Sequence, residues 1–177
     1  MNDAFAKLIS VFLLMLGCVG VSPSQTACEF SPKTAPLLLN LRPGMSSEEV
    51  QSVLGKSPKI KVKKDGEKIF FESYAEKRAP AALRNVNAFY LRFFDRKLYQ
   101  IEIFYNPRTD LPNLEAITNN LSQQLNFSPQ TWQIKNKRAA VKCNELSLKA
   151  DSILNPHIEL TDEIIRKTVE EKRQSEK

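Results

Sequence analysis

Few side chains in this sequence suit bond-making chemistry, and His157 is the first to weigh. It is the one histidine among 177 residues and stands in NPHIEL, near Asp151, Glu159 and Asp162. An imidazole oriented by a carboxylate is an ordinary form of general base. A base needs a group to activate, and no nucleophile motif accompanies this one. The sequence has no Gly-x-Ser-x-Gly, no Walker loop and no His-Glu-x-x-His. Its five glycines are too few to suggest a phosphate-cradling loop. His157 is therefore expected on the surface beside a turn. No catalytic residue, metal site or cofactor is expected, and an unrecognised hydrolase is the weakest of the functional classes.

Cysteine chemistry depends on compartment. The run LISVFLLMLGCVGV, from Leu8 to Val21, is apolar and uncharged, and small or polar residues follow it in VSPSQTA. It is shorter than the roughly 20 residues that cross a bilayer but fits a signal-peptide core. A buried helix would be expected to show a polar face. Export is the expectation, with residues 1–27 as leader and short linker. MLGC at 15–18 resembles the bacterial lipobox, with Cys18 as the residue that would carry lipid; cleavage after Gly20 or Ser24 is the alternative. Either route leaves Cys28 and Cys143, an even pair that reads as one disulfide in an oxidising envelope. It would close a loop of more than a hundred residues, for which chain entropy suggests roughly 4–5 kcal/mol as an upper figure.

Two further groups of residues could bind rather than react. KSPKIKVKKDGEK (56–68) gathers lysines around one hairpin, and alternation places Lys59, Lys61 and Lys63 on one face. Lysines guard exposed sheet edges against pairing with other chains, and they also suit anionic lipid head groups or envelope polymer. Nucleic acid is not an expected partner, because export removes it and because the formal charge of +6 is diluted by glutamates along the chain. Aromatic residues are more numerous than one face of a small sheet needs. Tyr90 and Phe94 share the face opposite Phe89, Leu91 and Phe93, and are expected to contact a partner protein.

The elements that must position these groups are short. In NLRPGMSSEEVQSVLG (40–55), Ser46 and Glu49 form a capping box, Met45 and Val50 a hydrophobic staple, and Val50, Val53 and Leu54 an apolar stripe. Gly55 suits the end of the helix and Pro58 blocks its resumption. A helix of about eight residues is below the roughly 12–15 needed for stability alone, so it must lie on a sheet. KIKVKKDGEKIFFESY (59–74) places Asp65-Gly66 between two β-prone runs, and residues 84–107 repeat the design around Asp95-Arg96-Lys97. A second helix is expected from near Asp110 and Pro112, with Leu114, Ile117, Leu121 and Leu125 as its stripe. The remaining pattern alternates: Trp132 with Ile134; Ala139, Val141 and Cys143; Leu146, Leu148 and Ala150; Ile158 and Leu160. The composition, 42% hydrophobic and 26% charged, is globular. The expected fold is α+β, with short helices on one face of an antiparallel sheet and an imperfect tandem repeat of helix plus hairpins. One domain is expected over 28–161, in halves of about 28–107 and 108–161, followed by a charged helix or tail that frays over 162–177.

LRPGMSSEEVQSVLG and the following LRFFDRKLYQIEIFY together resemble the small lipoprotein family of the outer-membrane β-barrel assembly machine. The matching residues are Gly44, Met45, Ser46, Val50, Leu54 and Gly55, then Phe93, Asp95 and Leu98, within about residues 37–106. The architecture also resembles the β-lactamase inhibitor protein, whose tandem repeat would account for the second half. The resemblance implies an exported, non-catalytic module that binds an envelope protein, or an inhibitor-like domain that occupies an enzyme's cleft. Its location would be the periplasm, or a membrane if Cys18 carries lipid.

Overall fold

The computed structural model describes residues 32–35, 37–55, 59–63, 66–72, 85–107, 113–125 and 127–176; for 59–63 and 66–72 it describes the backbone and its pairing. Three α-helices and eight strands are present among them. The first half is α1 (Ser47–Leu54), β1 (Lys59–Lys63), β2 (Gly66–Glu72), β3 (Val86–Phe94) and β4 (Lys97–Tyr105). The second is α2 (Leu114–Leu125), a single 3₁₀ turn, β5 (Gln133–Lys135), β6 (Arg138–Cys143), β7 (Leu146–Asp151) and β8 (His157–Asp162), with α3 (Glu163–Ser175) closing the chain. The fold is α+β, as the sequence predicts. All strands join one antiparallel sheet in the order β1-β2-β3-β4-β8-β7-β6-β5. Each half is thus one helix followed by a four-strand meander, and the meanders meet through their last strands.

Helix α1 starts where its side chains dictate. Ser46 Oγ accepts from Glu49 N at 3.2 Å while Ser46 N donates to Glu49 Oε2 at 2.7 Å, which completes the capping box. Gly44 has φ +88°, a conformation glycine adopts without steric cost, and donates to Leu98 O at 2.7 Å. Leu98 N returns a bond to Met45 O at 2.8 Å. The segment before the helix is therefore stitched to the first residues of β4. Val50 and Leu54 are buried; Val53, expected in the stripe, is exposed. Gly55 ends the helix with φ +76° and an extended ψ of −171°. Ser46→Ala is expected to cost about 1 kcal/mol, measured as a lower urea midpoint with an unchanged denaturant slope.

The core lies between α1, α2 and one face of the sheet. Phe89, Leu91, Ile101, Ile103 and Ile117 are fully enclosed, and Val141, Leu148, Ile158 and Leu160 continue the layer. In β4 the register slips: Arg92 pairs with Gln100 but Phe93 with Leu98, leaving Tyr99 as a bulge. Leu98 therefore shares the core face with Ile101 and Ile103. Unbroken alternation would set Tyr99 there instead. Helix α2 follows Asn113, whose Oδ1 accepts from Ala116 N at 2.8 Å. Of its expected stripe Ile117, Leu121 and Leu125 are buried and Leu114 is partly buried, and the expected start at Asp110 and Pro112 lies outside the described residues. Trp132 Nε1 donates to Ser122 Oγ at 2.9 Å, which fixes the chain between α2 and β5. Ile134 does not join Trp132 inside. It is 63% exposed because β5 is the rim of the sheet.

The charged C-terminal segment is a helix, one of the two forms expected of it, and it docks on the sheet. Asp162 ends β8 and caps α3, its Oδ1 accepting from Ile164 N and Ile165 N at 3.0 Å each. The chain reverses at once and crosses the face that α1 and α2 leave free. Glu163 bonds Ser147, Lys172 lies 5.8 Å from the centroid of the Phe94 ring, and Val169 is buried. Arg166 braces the helix through Glu163 and Glu170, at 2.7 and 2.6 Å. The α+β unit therefore runs past residue 161, through α3.

Candidate functional site

The antiparallel registers assemble a polar face from residues far apart in sequence. One cross-strand row reads Ala88, Phe104, His157, Asp151, Arg138; the next reads Tyr90, Glu102, Glu159, Lys149, Ala140. Residues opposite or diagonal on one face come within side-chain reach. His157 Nδ1 lies 3.1 Å from Asp151 Oδ2, and Nε2 lies 3.3 Å from Glu102 Oε1, at an angle outside hydrogen-bond geometry. Its ring stacks on Phe104 at 4.4 Å and 17°, and Tyr90 meets Phe104 edge-on at 5.9 Å. Arg92 approaches Glu102 at 3.8 Å; Lys149 donates to Glu159 at 2.8 Å, and Thr161 donates to the same oxygen at 3.1 Å.

Electrostatics follow from this arrangement. Burial by itself would lower the His157 pKa, but Glu102 and Asp151 outweigh it and hold the imidazole above its ordinary 6.5. Burial would likewise raise Glu159, yet Lys149 and Thr161 keep its carboxyl below the usual 4.5. Glu163, also opposed by burial, is lowered by Ser147 and Arg166. Both ring nitrogens of His157 face carboxylates and one ring face is covered, with 14% of the side chain exposed. The arrangement is an imidazole held between two carboxylates, which favour its charged form, and it ties β4, β8 and β7 together. It presents no ring nitrogen to open solvent as a base.

Sequence reasoning named Asp151 as one of three carboxylates near His157 without choosing among them, and placed the histidine on the surface beside a turn. It belongs to a central strand and is largely covered. Glu159 and Asp162, named as neighbours, instead pair with Lys149 and cap α3. Glu102 and Phe104 were missed as partners because nothing in the sequence states that β4 lies against β8. Tyr90 and Phe94 do share the polar face. Tyr90 is 39% exposed, whereas Phe94 is partly shielded by Lys172.

Comparison with protein-family models, curated proteins and solved structures returns no match.

The other expected sites are placed as follows. Lys59, Lys61 and Lys63 occupy alternate positions of β1, the outermost strand, opposite Phe70, Lys68 and Gly66. Cys143 is buried at the end of β6 and is disulfide-bonded. Cys28, its expected partner, and Cys18 lie outside the described residues, as do the expected leader and the Asp65 turn position. Among the described residues no group of three His, Cys, Asp or Glu side chains is arranged to hold a metal ion, and no helix is long and apolar enough to cross a membrane.

Proposed function

We propose that the protein is an exported, non-catalytic binding or assembly-support module of the bacterial cell envelope, acting by surface complementarity on an envelope protein. The observation that carries this reading is the polar sheet face. Its histidine and the carboxylates beside it already engage one another, while Tyr90 stands exposed beside Phe104 near the middle of the sheet. Such a face offers contact area and aromatic anchors rather than an uncommitted acid or base. The edge lysines Lys59, Lys61 and Lys63 would add a contact with anionic lipid. The capped helix and following hairpins support membership of the β-barrel assembly lipoprotein family. A second reading, an inhibitor-like domain seated in an enzyme's cleft, is favoured by the tandem helix-and-meander order.

The test combines mass, fractionation and cross-linking. Expressed from its full sequence in a bacterium, the protein is expected in the envelope fraction with a mass shortened by its leader. A photo-cross-linking residue at Tyr90 should trap one envelope protein, and the same residue at Gln123, on the exposed side of α2, should not. In an affinity pull-down without the photo-reactive residue, Tyr90→Ser should weaken retention of that envelope protein about tenfold with thermal stability unchanged. Full-length mass in the cytosol, or equal cross-linking from both positions, would reject the proposal. Capture of an enzyme whose turnover falls as the protein is added would select the inhibitor reading.

A further inference from the structure

The rim opposite the lysine-bearing β1 carries a second cationic hairpin, and its composition is more specific. β5 and β6 are joined by Asn136 and Lys137, with φ of +52° and +60°, the two-residue turn that matches strand twist. Lys135, Lys137, Arg138 and Lys142 are exposed, and the stretch from Gln133 to Cys143 contains no acidic residue. Lys135 lies directly opposite Arg138, a like-charge pairing that disfavours the hairpin itself. Arg138 has Asp151 on its other side, but among the described residues no strand lies beyond β5 to give Lys135 an opposite charge. Ile134, opposite the core residue Ala139 and so on the other face of the hairpin from Lys135 and Arg138, is 63% exposed at the same rim.

Edge protection accounts for the lysines but not for an apolar side chain displayed on the same rim. Duplex nucleic acid would use the cations and leave the isoleucine idle. An anionic bilayer uses both: head-group phosphates meet the cations, and the interface accepts the apolar group. We propose that the β5–β6 hairpin adsorbs edge-on to anionic membrane surfaces through β5 and its turn, with Ile134 entering the head-group boundary from one face of the rim and Lys135, Lys137 and Arg138 meeting the phosphates from the other face and the turn. This contact and partner capture through Tyr90 can each fail without the other.

The test uses the purified full chain and co-sedimentation with phosphatidylcholine vesicles, alone or mixed with phosphatidylglycerol, at two salt concentrations. The ratio of anionic to neutral partition is read, so any contribution of the apolar run at residues 8–21 divides out. Lys135→Glu is informative because it converts the like-charge pair into an opposite-charge one. It should raise the thermal midpoint while lowering the partition ratio several-fold, so lost binding cannot be misread as lost folding. Lys135→Glu with Lys137→Glu should lower the ratio at least about tenfold. Ile134→Ser should weaken adsorption to anionic vesicles without altering its salt dependence. Equal partition of the wild type onto both vesicle types would overturn the proposal. So would undiminished binding by the hairpin variants when Lys61→Glu abolishes it, or tighter binding to duplex DNA than to anionic vesicles at the same salt.

Discussion

Reduction of the protein is expected to lower its stability by about 2–5 kcal/mol, the range found when a native disulfide is removed. At this chain length that corresponds to a fall of roughly 5–15 °C in the thermal midpoint. Cys143 sits at the last position of β6, opposite Leu146 across a tight turn, and is 2% exposed. A cross-link rooted there restrains the unfolded chain, and its loss frees that chain without disturbing the apolar layer around the sulfur. Urea unfolding with and without reductant measures the difference. Cys143→Ala should unfold at the midpoint of the reduced wild type and ignore reductant. Equal midpoints for oxidised and reduced wild type would show that the cross-link contributes nothing.

The second large effect belongs to the clamped histidine. His157→Gln removes the cation between Asp151 and Glu102 and leaves two carboxylates facing a neutral side chain. A loss of about 2–3 kcal/mol is expected at pH 5.5, below the figure for a fully buried pair because part of the cluster reaches solvent. The sign of its pH dependence follows from the raised pKa. The folded state holds the proton more tightly than the unfolded chain, so the contribution is complete below 6.5 and disappears as pH rises through the higher folded value. Glu159 and Glu163, both lowered, act in the opposite sense: their contribution is present above 4.5 and is lost as pH falls through their folded values. The wild type should therefore be most stable between these limits. Urea midpoints for wild type and His157→Gln should converge at high pH, and a constant gap would remove the imidazolium from the account.

Elements written in short range could be read from the residues. The Ser46 capping box, the Asp95-Arg96 turn and the alternation of β6, β7 and β8 each depend on neighbours within a few positions, and each appears where expected. The polar face could not be read in this way. Whether His157 meets Glu102 depends on β4 pairing with β8, and no local pattern encodes that choice. The docking of α3 was hidden for a related reason. Its single buried apolar residue, Val169, gives almost no periodic signal, and the polar contacts of Glu163 with Ser147 and Arg166 leave none at all. Ile134 was misassigned because alternation reports which side a residue takes, not whether its strand lies at the rim.

The join between the two meanders has a kinetic consequence. Leu91 pairs with Ile101 ten residues away, whereas Ile103 pairs with Ile158 across 55. Closing the longer loop costs about 1.5 kcal/mol more in chain entropy, so hairpins form early and the β4–β8 junction assembles late. The strand that completes this junction also carries His157. The clamp is thus made at the step where the two four-strand meanders become one sheet, and protonation of His157 is expected to slow their separation.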